Sequence, residues 1–226
     1  MTSTEQTDAG TGESRYYPLF LRLAGRRCLV VGGGAVAARK TASLCAAGGV
    51  VTVVAPELGL ASRTELSVAM GWHWEEREFV PEDARGCALV IAATDDGAVN
   101  RAVLEAARAA GAWASSVDDP DEGDFIVPAV VSRGALQLAV GTSGRAPAVA
   151  AAVRRRLEAI FSPQWGGAVD VLARARALVG DLGLDEQKRG ALNRELAQLD
   201  IAALLDEGGL PSVEQAVASC ISRFSE

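Results

Sequence analysis

Three consecutive glycines, Gly32, Gly33 and Gly34, separate the apolar run Cys28-Leu29-Val30-Val31 from a helix-forming stretch that opens Ala35-Val36-Ala37-Ala38. Gly32, Gly34 and Ala37 meet the spacing G-x-G-x-x-A. In that pattern the first glycine permits a tight turn, the second lets the backbone approach a diphosphate, and the third small residue lets helix and strand pack closely. A diphosphate would then lie against the free N–H groups and the positive dipole end of the following helix, with Gly32 to Val36 as its cradle. A second group of interest is Asp118-Asp119-Pro120, which stops the apolar run Ala112 to Val117. A carboxylate at the carboxyl end of a strand stands where open α/β sheets bind ligands and can take a proton there. The same tripeptide also reads as an ordinary turn. Thr94 and Asp95 close another apolar run and are placed to line the cofactor cleft, or simply to cap a helix, with Asn100 as a helix-start residue.

These residues need elements to position them. Leu29–Val31, Val50–Ala55, Ala88–Ala93 and Ala112–Val117 are short β-branched or apolar runs that read as buried strands. His73–Phe79 is a further short candidate. Helical stretches, Ala35–Cys45 and Val99–Ala110, alternate with them and end near Gly48-Gly49 and Gly111. The alternation predicts a doubly wound α/β domain with a parallel sheet. After Pro120 an acidic loop (Asp121, Glu122, Asp124) leads to two apolar runs, Phe125–Val131 and Leu136–Val140, which read as a hairpin outside that sheet. The turn Thr142-Ser143-Gly144-Arg145-Ala146-Pro147 then precedes four helices, 148–161, 165–182, 185–205 and 212–224. The expected organisation is a loose tail (1–14), a nucleotide domain (15–120), a small β segment (121–147) and a helical region (148–226).

Charge and composition bound the function. A net charge of −7 over 226 residues argues against general nucleic-acid binding. No apolar stretch reaches the ~18 residues of a membrane span, and the N-terminus lacks a basic-then-apolar leader, so a cytoplasmic protein is expected. Cys28, Cys45, Cys87 and Cys220 are scattered, and His73 is the only histidine. With no cysteine pair and no histidine cluster, a resident metal is not expected.

Taken together, residues 31–40, 92–100 (Ala-Ala-Thr-Asp-Asp-Gly-Ala-Val-Asn), 116–120 (Ser-Val-Asp-Asp-Pro), 125–129 (Phe-Ile-Val-Pro-Ala) and the turn before Pro147 form an ordered set. In that set the chain resembles the precorrin-2 dehydrogenase module of siroheme synthases, in register from about Tyr17 to Phe161. The resemblance implies a Rossmann-like domain, a β dimerisation segment and an all-helical C-terminal region. It implies an enzyme that oxidises precorrin-2 to sirohydrochlorin with NAD, acting as a homodimer, and in several members also inserting Fe2+ as a ferrochelatase.

Several site assignments follow from the resemblance. Asp118 falls on the aspartate implicated in dehydrogenation and chelation and is taken as general base, with Asp119 as the fallback. Pro56 and Glu57 fall beside the adenosine ribose. The acid expected about 20 residues after the glycines is missing at the strand end, where Val54 and Ala55 stand, so Glu57 would substitute from the loop. Precorrin-2 carries eight carboxylates, and arginine suits their bidentate recognition. Arg39, Lys40, Arg133, Arg145 and Arg154 to Arg156 are candidates, with Arg145, Arg133 and Thr142 preferred as substrate ligands. Ser115 and Thr142 stand where the family commonly has Asn and Ser. A rival reading is an NAD-sensing regulatory module, which leaves Asp118 without a particular role.

Overall fold

The computed structural model describes residues 16–224, and the expected tail 1–14 lies outside them. The chain divides into two compact units. One holds the N-terminal residues to Val127 together with Ser143–Arg145, and the other holds Pro128–Thr142 with Ala146 onward.

In the first unit five parallel strands are ordered β3-β2-β1-β4-β5, with β1 (Arg27–Val31) at the centre. β2 (Val50–Ala55) and β3 (Trp72–Glu76) lie on one side, β4 (Leu89–Ala92) and β5 (Trp113–Ser116) on the other. β1, β2 and β4 read as near-continuous apolar runs because both faces are covered. Cys28 and Val30 point into a core with Ala37 and Leu44 of α1 (Ala35–Ala46), whereas Leu29 and Val31 point into the opposite core. That second core includes Val103, Leu104 and Ala107 of the helix after β4, α3 (Gly97–Ala109). The two-residue side-chain period therefore distributes one strand between two layers of helix.

A short helix absent from the sequence expectation, α2 (Leu60–Leu66), crosses from β2 to β3. Only Ser62 and Leu66 of its seven residues are buried, so it carries no apolar stripe to announce it. Strand β3 begins and ends earlier than expected, at Trp72 and Glu76. Trp74 anchors it by donating its ring N–H to the Ala55 carbonyl at 3.0 Å, with the Arg63 guanidinium stacked over its ring.

The expected strand from Phe125 is corrected: β6 is Ala129–Arg133, paired antiparallel with β7 (Leu136–Val140). Phe125 packs against the sheet core of the first unit, and Pro128 cannot donate to a ladder. The loop before it closes the β5 edge, where Asp124 accepts from the Ala114 N–H at 2.8 Å and returns its own N–H to the Ala114 carbonyl at 2.7 Å. Residues 121–127 thus belong with the first unit rather than with the hairpin.

The second unit adds α4 (Pro147–Ile160), α5 (Gln164–Asp181), α6 (Glu186–Ala197), α7 (Ile201–Gly208) and α8 (Leu210–Ser222). Its core takes Ala168, Val171, Ala175 and Val179 from one face of α5, with Leu192 and Leu196 of α6 and Val213 and Val217 of α8. The single helix expected over 185–205 is two, because Asp200 turns the chain and accepts from the Ala203 N–H to start α7.

Candidate active site

A cleft of about 480 Å³ opens where the carboxyl ends of β1, β2 and β4 meet. This is the point at which the strand order reverses and open α/β sheets take ligands. Gly32, Gly33 and Gly34 form its floor, Pro56 and Glu57 one wall, and Thr94 and Asp95 the other. Ala35 and Val36 are exposed on the first turn of α1, outside the lining.

The three glycines have separate reasons to be there. Gly32 has φ +130°, and a Cβ on it would lie 2.2 Å from the Ala93 carbonyl oxygen. A Cβ on Gly33 would lie 1.8 Å from the Glu57 carbonyl oxygen. The Gly33 carbonyl is itself fixed by the Ser62 hydroxyl at 2.8 Å and the Gly59 N–H at 3.0 Å, so α2 holds the turn in shape. Gly34 is different: nothing of the protein lies within 4 Å of its Cβ position. It caps α1 with no side-chain bond, and no acidic residue stands in the first turn. The first-turn N–H groups of α1 are thus unclaimed by side chains, and the space over Gly34 is what a diphosphate backbone would need. These residues fit a dinucleotide.

Glu78 and Phe79 also line the cleft, and the sequence reading missed them. Their place follows from strand order, because β3 lies beside β2 and its following turn comes level with Glu57. The sequence reading places both inside the candidate strand His73–Phe79, and no local pattern marks them as a cleft wall.

Asp118 lies two residues beyond β5, exposed and outside the lining of the cleft. One carboxylate oxygen is 3.6 Å from the Cβ position of Gly97, in the first turn of α3. The Ser116 hydroxyl donates to the other. That bond first, and the Asn100 amide second, hold the Asp118 carboxyl below the ordinary carboxylate range against a smaller opposing effect of burial. Asp119, the fallback base, instead accepts from the Asp121 N–H, so it shapes the turn Pro120–Glu122. The turn function and the candidate base therefore fall on different aspartates.

Because the folded-state pKa of Asp118 is depressed, its stabilising contribution is present above the unfolded value and disappears as the pH falls through the folded one. Ser116→Ala is expected to move the Asp118 titration upward toward the ordinary carboxylate range. Side-chain carboxyl carbon NMR would read this, and an unmoved titration would refute the role of Ser116.

Other expectations are redrawn. Asn100 is not a helix-start residue: Asp96 caps α3, accepting from the Ala98 and Val99 N–H groups, while Asn100 is buried one turn in. Arg133 donates to the Phe161 carbonyl at 2.7 Å and the Glu158 carbonyl at 3.3 Å, so its guanidinium closes the C-terminus of α4 instead of standing free for a carboxylate. Thr142 accepts from the Ala146 N–H at 3.3 Å at the start of that helix. Arg145 belongs to the first unit. His73 is on the surface beside Glu75. The four cysteines are free, and burial pushes the Cys28 thiol up to about 11, which keeps it protonated and unreactive. Among the described residues no group of three or more His, Cys, Asp or Glu could hold a metal ion, and no helix is long and apolar enough to cross a membrane.

Comparison with known proteins agrees with this geometry. Residues 19–129 match the family model described as "Putative NAD(P)-binding", and residues 133–160 match "Sirohaem biosynthesis protein central". A siroheme synthase of Neisseria meningitidis is 43% identical over 164 residues, covering 73% of this chain and 34% of the relative. Siroheme synthase 3 of Aeromonas hydrophila is 37% identical over 216 residues, covering 93% of this chain and 45% of the relative. The chain thus spans between about a third and a half of the length of these relatives. Among solved structures, SirC, precorrin-2 dehydrogenase, superposes with a TM-score of 0.72 at 25% identity, over 92% of this chain and 100% of that one. With the five-stranded order, the glycine cradle and these matches in agreement, the chain belongs to the siroheme synthase family, as a counterpart of its NAD(P)-binding and central segments.

Proposed function

We propose that the protein is a precorrin-2 dehydrogenase, oxidising precorrin-2 to sirohydrochlorin with NAD. The observation that carries this reading is the Asp118 carboxylate, held by the Ser116 hydroxyl beyond β5, one strand along from β4, whose following residues Thr94 and Asp95 wall the dinucleotide cleft. The oxidation removes a hydride and a proton from the reduced macrocycle, and NAD, when bound, supplies the hydride acceptor. Asp118 takes the proton. Ser116 keeps its carboxylate charged and oriented until then.

Cofactor choice follows from the cleft wall. Glu57, Glu78 and Asp95 are its charged lining residues, and no lysine or arginine is among them. A ribose 2′-hydroxyl can donate to such carboxylates, whereas a 2′-phosphate meets their negative charge. NAD is therefore expected to be preferred over NADP.

Arg145 is the proposed ligand for substrate carboxylates, in the same unit as Asp118. A homodimer in the cytoplasm is the proposed working form. Support for the dimer comes from the hairpin and α4, where Val130, Val149, Val153 and Ile160 are exposed. α4 and α5 pack against the hairpin and bury Val131, and these four apolar side chains are what a second copy would cover.

A second reading adds Fe2+ as a substrate inserted into sirohydrochlorin. It is favoured by the charged state of Asp118, since a carboxylate that stays ionised can both ligate the ion and receive pyrrole protons.

The test is an anaerobic assay with precorrin-2 generated in place, following sirohydrochlorin absorbance with NAD, NADP or neither, and then adding ferrous iron. Product that requires NAD supports the dehydrogenase, and a further protein-dependent spectral change with iron supports the second activity. NAD binding with no product would leave an NAD-sensing module as the better account.

A further inference from the structure

Asn100 is 2% exposed, and a buried amide must find its partners within the protein. Its carbonyl oxygen accepts from the Thr94 N–H at 3.1 Å and from the Thr94 hydroxyl at 2.8 Å. Its NH2 group donates to the Thr94 carbonyl at 3.0 Å. Three of its four bonds therefore close on a single residue of the cofactor cleft, and one amide hydrogen is left. Gly97 stands three positions earlier, on the same face of α3, and a Cβ there would lie 3.6 Å from the Asp118 carboxylate. The Asp118 carboxylate therefore stands over the turn of α3 that carries Asn100, and the Asn100 amide is second to Ser116 among the groups that hold that carboxyl low.

We infer that Asn100 is a positioning residue that ties the cofactor-lining Thr94 turn to the Asp118 carboxylate, setting the reach and charge of the base relative to the bound dinucleotide. This rests on the reading of Asp118 as the base. Its chemistry is specific to asparagine. Aspartate at position 100 can still accept both Thr94 bonds, but it has no hydrogen for the Thr94 carbonyl or for Asp118 and brings a second negative charge beside them. Alanine removes every bond and leaves the Thr94 N–H and carbonyl unsatisfied.

The decisive variant is Asn100→Asp, which keeps shape and volume, with Asn100→Ala as a second. Asp118 would be titrated by carboxyl carbon NMR, its signal assigned by its disappearance in Asp118→Asn. In Asn100→Asp its titration is expected to rise by about one pH unit or more, since a like charge disfavours ionisation. NAD affinity should stay within about threefold, because the Thr94 N–H and hydroxyl keep their acceptor, while kcat at neutral pH falls by about tenfold or more. A change in melting temperature alone, with the Asp118 titration and the kcat pH profile those of the parent protein, would overturn the proposal. Should Asn100→Ala fail to fold, the isosteric variant decides by itself. Failure of the base reading has a different signature: parent-like turnover in Asp118→Asn, whatever the titration shows.

Discussion

Asp118→Asn is expected to lower kcat for precorrin-2 oxidation by about 10²- to 10⁴-fold, the range that a positioned general base contributes, with NAD affinity essentially unchanged. Asparagine keeps the side-chain shape and can still accept from the Ser116 hydroxyl, so the turn after β5 should persist. What it lacks is the capacity to take a proton. Because Asp118 lies outside the lining of the dinucleotide cleft, cofactor binding has no reason to respond. Calorimetric NAD titration and a single-turnover assay separate the two quantities. Parent-like turnover would remove Asp118 from the reaction, and Asp119 would be a poor replacement because its carboxylate already serves the turn that follows. If iron insertion uses the same carboxylate, it should fall in the same variant.

The second large effect separates two neighbouring glycines, Gly33 at a variable position of the motif and Gly34 at its second fixed glycine. Gly33→Ala places a methyl 1.8 Å from the Glu57 carbonyl oxygen, a backbone atom that cannot swing aside. The Gly33 carbonyl is held from two sides, by Ser62 and Gly59, so the turn cannot easily yield either. A stability loss of about 1–3 kcal/mol or more is expected, together with loss of NAD binding. Gly34→Ala meets no protein atom within 4 Å, and its φ of −83° suits any residue. Its stability should stay within about 1 kcal/mol of the parent's, since the less flexible unfolded chain is offset by alanine's weaker fit at a helix cap. Its NAD affinity should nonetheless drop by about tenfold or more, because the methyl occupies the space kept for the diphosphate. Thermal unfolding and NAD titration of both variants give the comparison. Parent-like NAD affinity in Gly34→Ala would mean that the dinucleotide does not lie over that glycine.

Much of the sheet was legible because its information is local. Four short apolar runs and two alternating helices, with glycines at the helix ends, are visible without knowing how they pair. The cradle was legible for the same reason, since strand, turn and helix are contiguous from Arg27 to Ala46. Errors came where the pattern was weak or interrupted: α2 with only two buried residues, the break at Asp200, and the Phe125 segment, whose aromatic ring serves the sheet core and not a hairpin.

The sequence by itself therefore determined the parallel α/β architecture, the glycine turn and the aspartate pair after the last parallel strand, since side-chain periodicity and turn chemistry act within a few residues. Tertiary structure alone decided which residues share a site. Ser62 reaches Gly33 across 29 positions, and Glu78 joins Glu57 only because β3 lies beside β2. The same holds for the division of labour between neighbouring residues. Asp118 and Asp119 are chemically identical in the sequence, and Arg133 and Arg145 nearly so. Arg133 closes the end of α4 through carbonyls 28 and 25 positions away, partners that packing brings close and no local pattern encodes.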